Sequence, residues 1–415
     1  MNDNNNPITI LIIGGGDRGN TYAKYSKLHP EQMKVLGIAE PSESRRQSFA
    51  EEYNIPTDNS FSNFQDMLSK NKFADAVIIS TPDHLHYEPA MMAIEKGYDI
   101  LLEKPIANKL EECTALNDLN KKHNRIVGVC HVLRYAPFYV KLKEIIDSGM
   151  IGEVLTIEHI EGIGWWHYAH SYVRGNWRDT TASSPMILAK SCHDMDIILW
   201  LIGRDCIKIS SFGTLSHFKK ENAPSGSTER CTDGCKVESE CPYSALKLYM
   251  DMEKTGWPVN IISDDLSFEG RMKAMMEGSY GRCVYRCDNN AVDHQVVSLE
   301  FEEGETASFT MSAFTEMGRK IRIMGTMGEV SGDGKIINYA NFRNGKNETF
   351  DTGAAENDID SGHGGGDYGM LSAFINSVKH QDASLISSTL DVSVQSHQMA
   401  FAAEKSRVEG KIIVL

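Results

Sequence analysis

The 415-residue chain has no stretch approaching the about 18 consecutive apolar residues of a membrane span, no basic tract, no internal repeat and no low-complexity segment. Each absence removes a class of function. Without an apolar span, an α-helical membrane protein is not expected. Without a basic tract, and with a net charge of −15, nucleic acid and anionic membrane surfaces are poor partners. The first residues, Met1 to Pro7, show no basic segment followed by a long apolar one. A secretory leader is therefore not expected, and the reading places the protein in the cytoplasm. Cysteine is present but unpaired in number, with nine residues. In a reducing compartment that predicts free thiols or metal ligands before disulfides. What remains is ordinary for a globular protein, 41% hydrophobic and 24% charged, with length for two or three domains.

The first part of the chain alternates short apolar runs with helical segments. Ile8–Ile13, Lys34–Ala39, Asp75–Ile79, Ile100–Leu102 and Ile126–Val132 read as strands buried on both faces. Asp17–Leu28, Ser42–Tyr53, Asn63–Lys70, His84–Lys96 and Leu110–His123 read as helices between them. That alternation predicts a doubly wound parallel sheet of the Rossmann type over residues 1–133. From residue 134 to 415 the texture changes to period-two strands with glycine turns, closed by helices at Gly366–Val378 and Thr389–Val408. This predicts an α+β domain with a large, mostly antiparallel sheet for substrate binding and oligomerisation. A charged, cysteine-containing insertion interrupts it at about 219–255.

Two features of the first domain carry chemistry. Strand Ile10–Ile13 leads into Gly14-Gly15-Gly16-Asp17-Arg18-Gly19, a Gly-x-Gly-x-x-Gly turn opening a helix. The glycines allow a tight turn, close approach to a pyrophosphate and close helix packing, and the helix N-terminus offers free N–H groups. The next strand ends in Glu40, 21 residues past Gly19, where a carboxylate accepts ribose hydroxyls and repels a 2′-phosphate. The expected cofactor is NAD. Arg45 and Arg46 could reach a 2′-phosphate and keep NADP open. The second feature is the strand Asp99–Leu102 running straight into Glu103-Lys104-Pro105. Open α/β sheets hold ligands at the carboxyl ends of their strands, so Lys104 is a candidate proton donor or acceptor.

These residues, together with Ser80-Thr81-Pro82-Asp83-His84-Leu85-His86, Arg134-Tyr135, Ser148 to Glu153 and Ser191-Cys192-His193-Asp194-Met195-Asp196, resemble the Gfo/Idh/MocA oxidoreductases, the glucose–fructose oxidoreductase and inositol dehydrogenase group. The resemblance covers the chain except the insertion. It implies NAD(P)-dependent dehydrogenation of sugars, cyclitols and related polyols. It places Thr81, Pro82 and His86 along the cofactor, and Glu103, Lys104 and Pro105 beside the nicotinamide, with a Lys104–Pro105 bond suited to the cis form. It assigns His193 as general base and acid, with Asp196 three residues on and able to share its helix face. Lys104 would stabilise the alkoxide or pass the proton. The family often carries an aspartate four residues before this histidine. Here that position is Ala189, followed by Lys190, which would bring a second cation.

Substrate contacts are expected from Arg134, Tyr135, Trp166, His167, Arg178, Asp194 and His363, polar or aromatic groups suited to a carbohydrate. Trp177 and Trp200 read as packing. Cys231-x3-Cys235-x5-Cys241, followed by Cys283 and Cys287, admits a structural zinc, an iron–sulfur site, a redox-sensitive thiol cluster or unligated cysteines. Three functions compete: an NAD-dependent dehydrogenase of a sugar, glycoside or cyclitol; an NAD-dependent glycosidase using transient oxidation and elimination; and a non-catalytic nucleotide- or sugar-sensing member. A homodimer or homotetramer is expected by family analogy.

Overall fold

The computed structural model describes residues 6–353 and 363–415. The first five residues, read above for a targeting signal, lie outside them. Six parallel strands form the first sheet: β1 (Ile8–Ile13), β2 (Met33–Ala39), β3 (Ser60–Phe61), β4 (Ala76–Ile79), β5 (Asp99–Leu102) and β6 (Val127–Val129). Their order is β3-β2-β1-β4-β5-β6, so the order reverses beside β1. The last four residues of β1 and all of β4 and β5 are buried, because helices cover both faces. Ligands of such sheets lie outside the strand carboxyl ends at this reversal, where the glycine turn and Glu103-Lys104 both stand. The helix predicted over Asp17–Leu28 is two pieces, Asp17–Ala23 and Tyr25–Leu28.

The second sheet has nine strands: β7 (Val154–Gly162), β8 (Cys206–Thr214), β9 (His294–Phe301), β10 (Thr306–Ser312), β11 (Gly318–Gly325), β12 (Gly328–Gly332), β13 (Ile336–Asn341), β14 (Asn347–Asp351) and β15 (Ile413–Val414). Among the described residues only β7 and β10 pair in parallel in this sheet; the other pairings are antiparallel. Alternate residues such as Ile157, His159 and Glu161 on β7 face inward, against the helix Cys192–Ile202 and its neighbours. The helix Pro137–Asp147, not predicted, begins with proline at its first turn and buries Phe138, Leu142 and Ile145 at helical spacing. The stretch between β8 and β9 adds no strand to the sheet and holds short helices at Ala245–Tyr249, Val259–Ile262 and Phe268–Glu277.

The C-terminal helices return to the first sheet. Met370, Leu371, Phe374 and Ile375 of the helix Gly366–His380 share a core with Ile10, Ile12 and Ile78. Leu390 and Val394 of the helix Leu390–Glu409 pack with Ile100, Leu102 and Val129 on the other side. Among the described residues no helix is long and apolar enough to cross a membrane.

Candidate active site

The glycine turn has the geometry the spacing predicted. Gly14 sits at φ +96°, and a Cβ there would stand 2.7 Å from the Ser80 carbonyl oxygen. A Cβ on Gly19 would meet the Gly14 carbonyl at 2.0 Å, so helix and turn touch only because both lack side chains. A Cβ on Gly16 would meet nothing within 4 Å, leaving open space above the turn at the start of the helix. Glu40, at the end of β2, accepts from the Gly15 N–H at 2.8 Å and the Ser42 N–H at 2.9 Å. A bare glycine surface at a helix start with a carboxylate beside it fits a dinucleotide's pyrophosphate and ribose. Arg46 donates to the Glu40 carbonyl and Arg45 lies near Asp264.

Glu103 and Lys104 follow β5. Burial pushes the Glu103 carboxyl up, but the Arg18 and Lys104 cations outweigh it and hold it below the usual carboxylate range. Its Oε1 accepts from Arg18 Nε at 2.6 Å and from the Tyr22 hydroxyl at 2.5 Å, and its Oε2 from the Lys104 N–H at 2.9 Å. Arg18 also pairs with Asp367 on the C-terminal helix. Arg18, expected at the cofactor because of its place in the turn, thus locks the strand end that carries Lys104. The Lys104–Pro105 peptide is cis. Both ring nitrogens of His86 face carbonyl oxygens, Pro105 at 2.6 Å and Thr81 at 2.8 Å. This buried ring holds two loops together, those of Pro105 and Thr81, both expected along the cofactor.

Across from this corner lies the start of the helix Cys192–Ile202. Lys104 Nζ donates to the Ala189 carbonyl oxygen at 2.9 Å. His193 is 4% exposed, and burial, reinforced by Lys104 and His131, pulls its pKa well below the ordinary histidine value. Its Nδ1 is buried, with no hydrogen-bond partner among the described residues. The ring of His363 lies 6.0 Å from that of His193, held by Asp367 at 2.7 Å from its Nδ1. Burial likewise lowers His363, against the pull of Asp367. Lys190 Nζ is 3.5 Å from Glu161 on β7. Burial, with Arg319 and Lys104 close by, lowers the Lys190 pKa despite Glu161. His167 is lowered by burial and then by Lys190, His170 and Lys104. The structure therefore gathers Lys104, Lys190, His193, His167 and His363 in one cleft, with the imidazoles biased to their neutral forms. Neutral imidazoles beside two amines can accept a hydroxyl proton and hold an alkoxide.

Other expected contacts are committed elsewhere. Arg134 is buried and makes a bidentate pair with Asp196, with two contacts of 2.7 Å, and donates to the Ser387 carbonyl. Asp196 is therefore the partner of Arg134, not of His193. The Tyr135 hydroxyl accepts from the Ser387 and Ser388 N–H groups, fixing that loop. Asp194 is fully buried between His159 at 2.8 Å and Arg319 at 2.7 Å. Arg178 pairs with Asp288 at 3.2 Å. Each of these four side chains has a protein partner in the fold. Trp166 stays at the cleft, 5.4 Å from Trp257, whose ring is also 4.9 Å from His167. Trp177 does more than pack: its indole N–H donates to Asp83 in the loop after β4.

The sequence reading missed Glu161, Arg319 and Trp257. Glu161 had a signal, a carboxylate on the inward phase of β7. Arg319 and Trp257 had none, since each reaches the cleft from a segment remote in the chain. Among the described residues no three His, Cys, Asp or Glu side chains form a group able to hold a metal ion, so neither the zinc nor the iron–sulfur reading of Cys231, Cys235 and Cys241 finds support in the geometry.

Residues 8–131 match the NAD-binding Rossmann fold of the Gfo/Idh/MocA oxidoreductases, and residues 143–415 match their C-terminal alpha/beta domain. The oxidoreductase YteT of Bacillus subtilis is 24% identical over 64% of this chain and 62% of its own length. The 2,7-anhydro-N-acetylneuraminate hydratase of Mediterraneibacter gnavus is 27% identical over 47% of this chain and 50% of its own. The chain thus spans about half to three-fifths of these curated relatives. An inositol dehydrogenase homolog from Azotobacter vinelandii, solved with NAD+, superposes with a TM-score of 0.71 at 14% identity, covering 99% of this chain and 98% of that one.

Proposed function

The chain belongs to the Gfo/Idh/MocA oxidoreductase family, and from that membership we propose that it moves a hydride between a secondary alcohol of a sugar, glycoside or cyclitol and NAD. The observation that carries this reading is the Lys104 to Ala189 contact, which brings the strand-end lysine to the helix start bearing His193. When bound, NAD supplies the hydride acceptor. The chain's residues do the rest. Glu40 and the glycine turn hold the dinucleotide. His193, neutral in its buried setting, takes the hydroxyl proton. Lys104 and Lys190 stabilise the oxygen that is left. Trp166, with Trp257 against it, forms an aromatic wall suited to a sugar face.

The relatives named hydratases favour a second reading, in which the redox step is transient and the net reaction is addition of water or elimination. A panel of monosaccharides, cyclitols, glycosides and anhydro-sugars, followed for NADH and separately for product by mass spectrometry, distinguishes the two. Net NADH supports the dehydrogenase. Product without NADH supports the second. Neither, with a panel that includes both classes, removes both.

We also propose assembly through the outer face of the second sheet. There a cross-strand row runs from Phe212 through Val296 and Thr310 to Ile160, with Phe212 72% exposed. Light scattering showing a monomer at micromolar concentration would end that idea.

A further inference from the structure

A hydride step needs one base, and His193 takes that place in the reaction proposed above. A second imidazole in the cleft is left without a task. His363 is that ring, 6.0 Å from the ring of His193. Its Nδ1–H donates to Asp367 Oδ2 at 2.7 Å, and that carboxylate is fully buried. A carboxylate on Nδ1 fixes the tautomer and leaves the lone pair on Nε2. Among the described residues Nε2 has no hydrogen-bond partner, and the side chain is 27% exposed, so a small molecule in the cleft can reach it.

The ring's place is fixed although glycines follow it. A Cβ on Gly366 would stand 2.3 Å from the Val132 carbonyl oxygen, so the start of the helix Gly366–His380 is pressed against the segment after β6. The Gly366 N–H donates back to the His363 carbonyl at 3.2 Å. Asp367 is tied in turn to Arg18, which holds Glu103 beside Lys104. One chain of contacts thus sets His363 relative to the lysine at the strand end. Burial, with Arg18 and Lys190 close by, favours the neutral ring despite Asp367. An ordinary surface ion pair at this spacing would need neither a fully buried carboxylate nor a facing imidazole.

We propose that His363, oriented by Asp367, is a second acid–base catalyst, which removes the proton from the carbon next to the one bearing the reacting oxygen. The inference rests on the reading that His193, Lys104 and Lys190 surround that oxygen. Two rings 6.0 Å apart can flank one carbon–carbon bond, one at the hydroxyl and one at the adjacent hydrogen. Once the hydroxyl is a carbonyl, that neighbouring C–H bond is acidified. Nε2 takes the proton, the C–H electron pair forms a carbon–carbon double bond, and the carbonyl π pair moves to oxygen as an enolate. Lys104 and Lys190, placed for an alkoxide, hold the enolate oxygen by the same charge. Return of the proton from His363 to the same carbon restores the ketone. Where the next carbon carries an oxygen substituent, the enolate expels it instead, and the group leaves with the proton that His363 took. The dyad thus supplies the base that the elimination reading requires.

The test is hydrogen exchange in heavy water by the full chain with NAD+, using as probes the ketone of myo-inositol and a methyl keto-glucoside. NMR should show the protons beside the carbonyl exchanging at least about 10²-fold faster than without protein. His363→Gln should slow that exchange about 10²-fold, and slow single-turnover NADH formation on the sugar panel far less. Exchange and NADH formation falling together would mark the ring as merely structural and overturn the proposal. So would wild-type exchange no faster than in buffer, a result that stands even where the variant fails to fold. NADH formation without exchange overturns the role of His363 alone, whereas absence of both removes the hydride reading with it.

Discussion

Lys104 reaches out from the end of the parallel sheet and donates to the carbonyl of Ala189, immediately before Lys190 in the chain. One hydrogen bond of 2.9 Å thus joins the nucleotide-binding half to the turn that precedes His193. Replacing Lys104 by alanine removes both the bridge and the amine. Turnover on a substrate found by the panel above should fall about 10²- to 10⁴-fold, the usual worth of a positioned proton-handling group. His193→Ala should show a comparable loss. Both variants keeping near wild-type turnover would remove the assignment.

The pH profile follows from burial of His193. Its pKa lies well below the ordinary value, because burial and the nearby Lys104 disfavour the charged ring. The acid limb of kcat/KM should therefore fall below the pH at which an exposed histidine titrates, about 6.5. An acid limb at or above that pH would contradict the role given to His193.

Gly16 and Gly19 should separate binding from folding. Alanine at 16 meets no protein atom within 4 Å, so Gly16→Ala should keep its thermal midpoint and bind NAD at least about tenfold more weakly, about 1.4 kcal/mol. Alanine at 19 meets the Gly14 carbonyl at 2.0 Å and should lower the midpoint itself. Calorimetry on both variants, with and without NAD, checks the pair. A Gly16→Ala variant with unchanged NAD affinity would show that the open space is not the cofactor's.

Stability should fall on mild acidification. Burial pulls His131 down to about 4, and His170 and His397 to about 3. The unfolded chain takes up protons at these sites near pH 6.5, while the folded one does not until much lower. Their contribution is therefore complete above pH 6.5 and is lost as pH drops toward 4, on the order of 3 kcal/mol for His131 alone. Urea midpoints at pH 7.5 and 5 measure the loss. Equal midpoints would show these rings protonating freely in the fold.

Arg134→Ala leaves Asp196 as an uncompensated buried charge, and the expected cost is about 3–5 kcal/mol of stability. Because Arg134 is committed to Asp196 and Ser387, any variant that folds should keep KM. A raised KM with unchanged stability would restore Arg134 to the substrate.

The parallel sheet, the glycine turn, Glu40, Lys104 and the helix start at His193 were legible because each is written in contiguous residues. Apolar runs of strand length, a glycine spacing and a charge after a strand are local signals. The protein partners of Arg134, Tyr135 and Asp194 were not legible, for the converse reason. A polar residue in a suggestive motif reads the same whether it faces a ligand or a buried partner, and the partners Asp196, Ser387 and Arg319 lie up to 253 residues away. Trp257 was invisible because the segment carrying it has no periodic pattern, so nothing in its own sequence indicates where it docks.

The helix Gly366–His380 and the residues Leu390 and Val394 complete the core of the first sheet. A ribosome emits these residues long after the glycine turn. The nucleotide-binding half therefore cannot finish folding as an N-terminal unit, as sequential domains generally do. Until that later segment emerges, Ile10, Ile12 and Leu102 remain partly uncovered, so a chain stalled before it would present that surface to chaperones and proteases rather than a finished first domain.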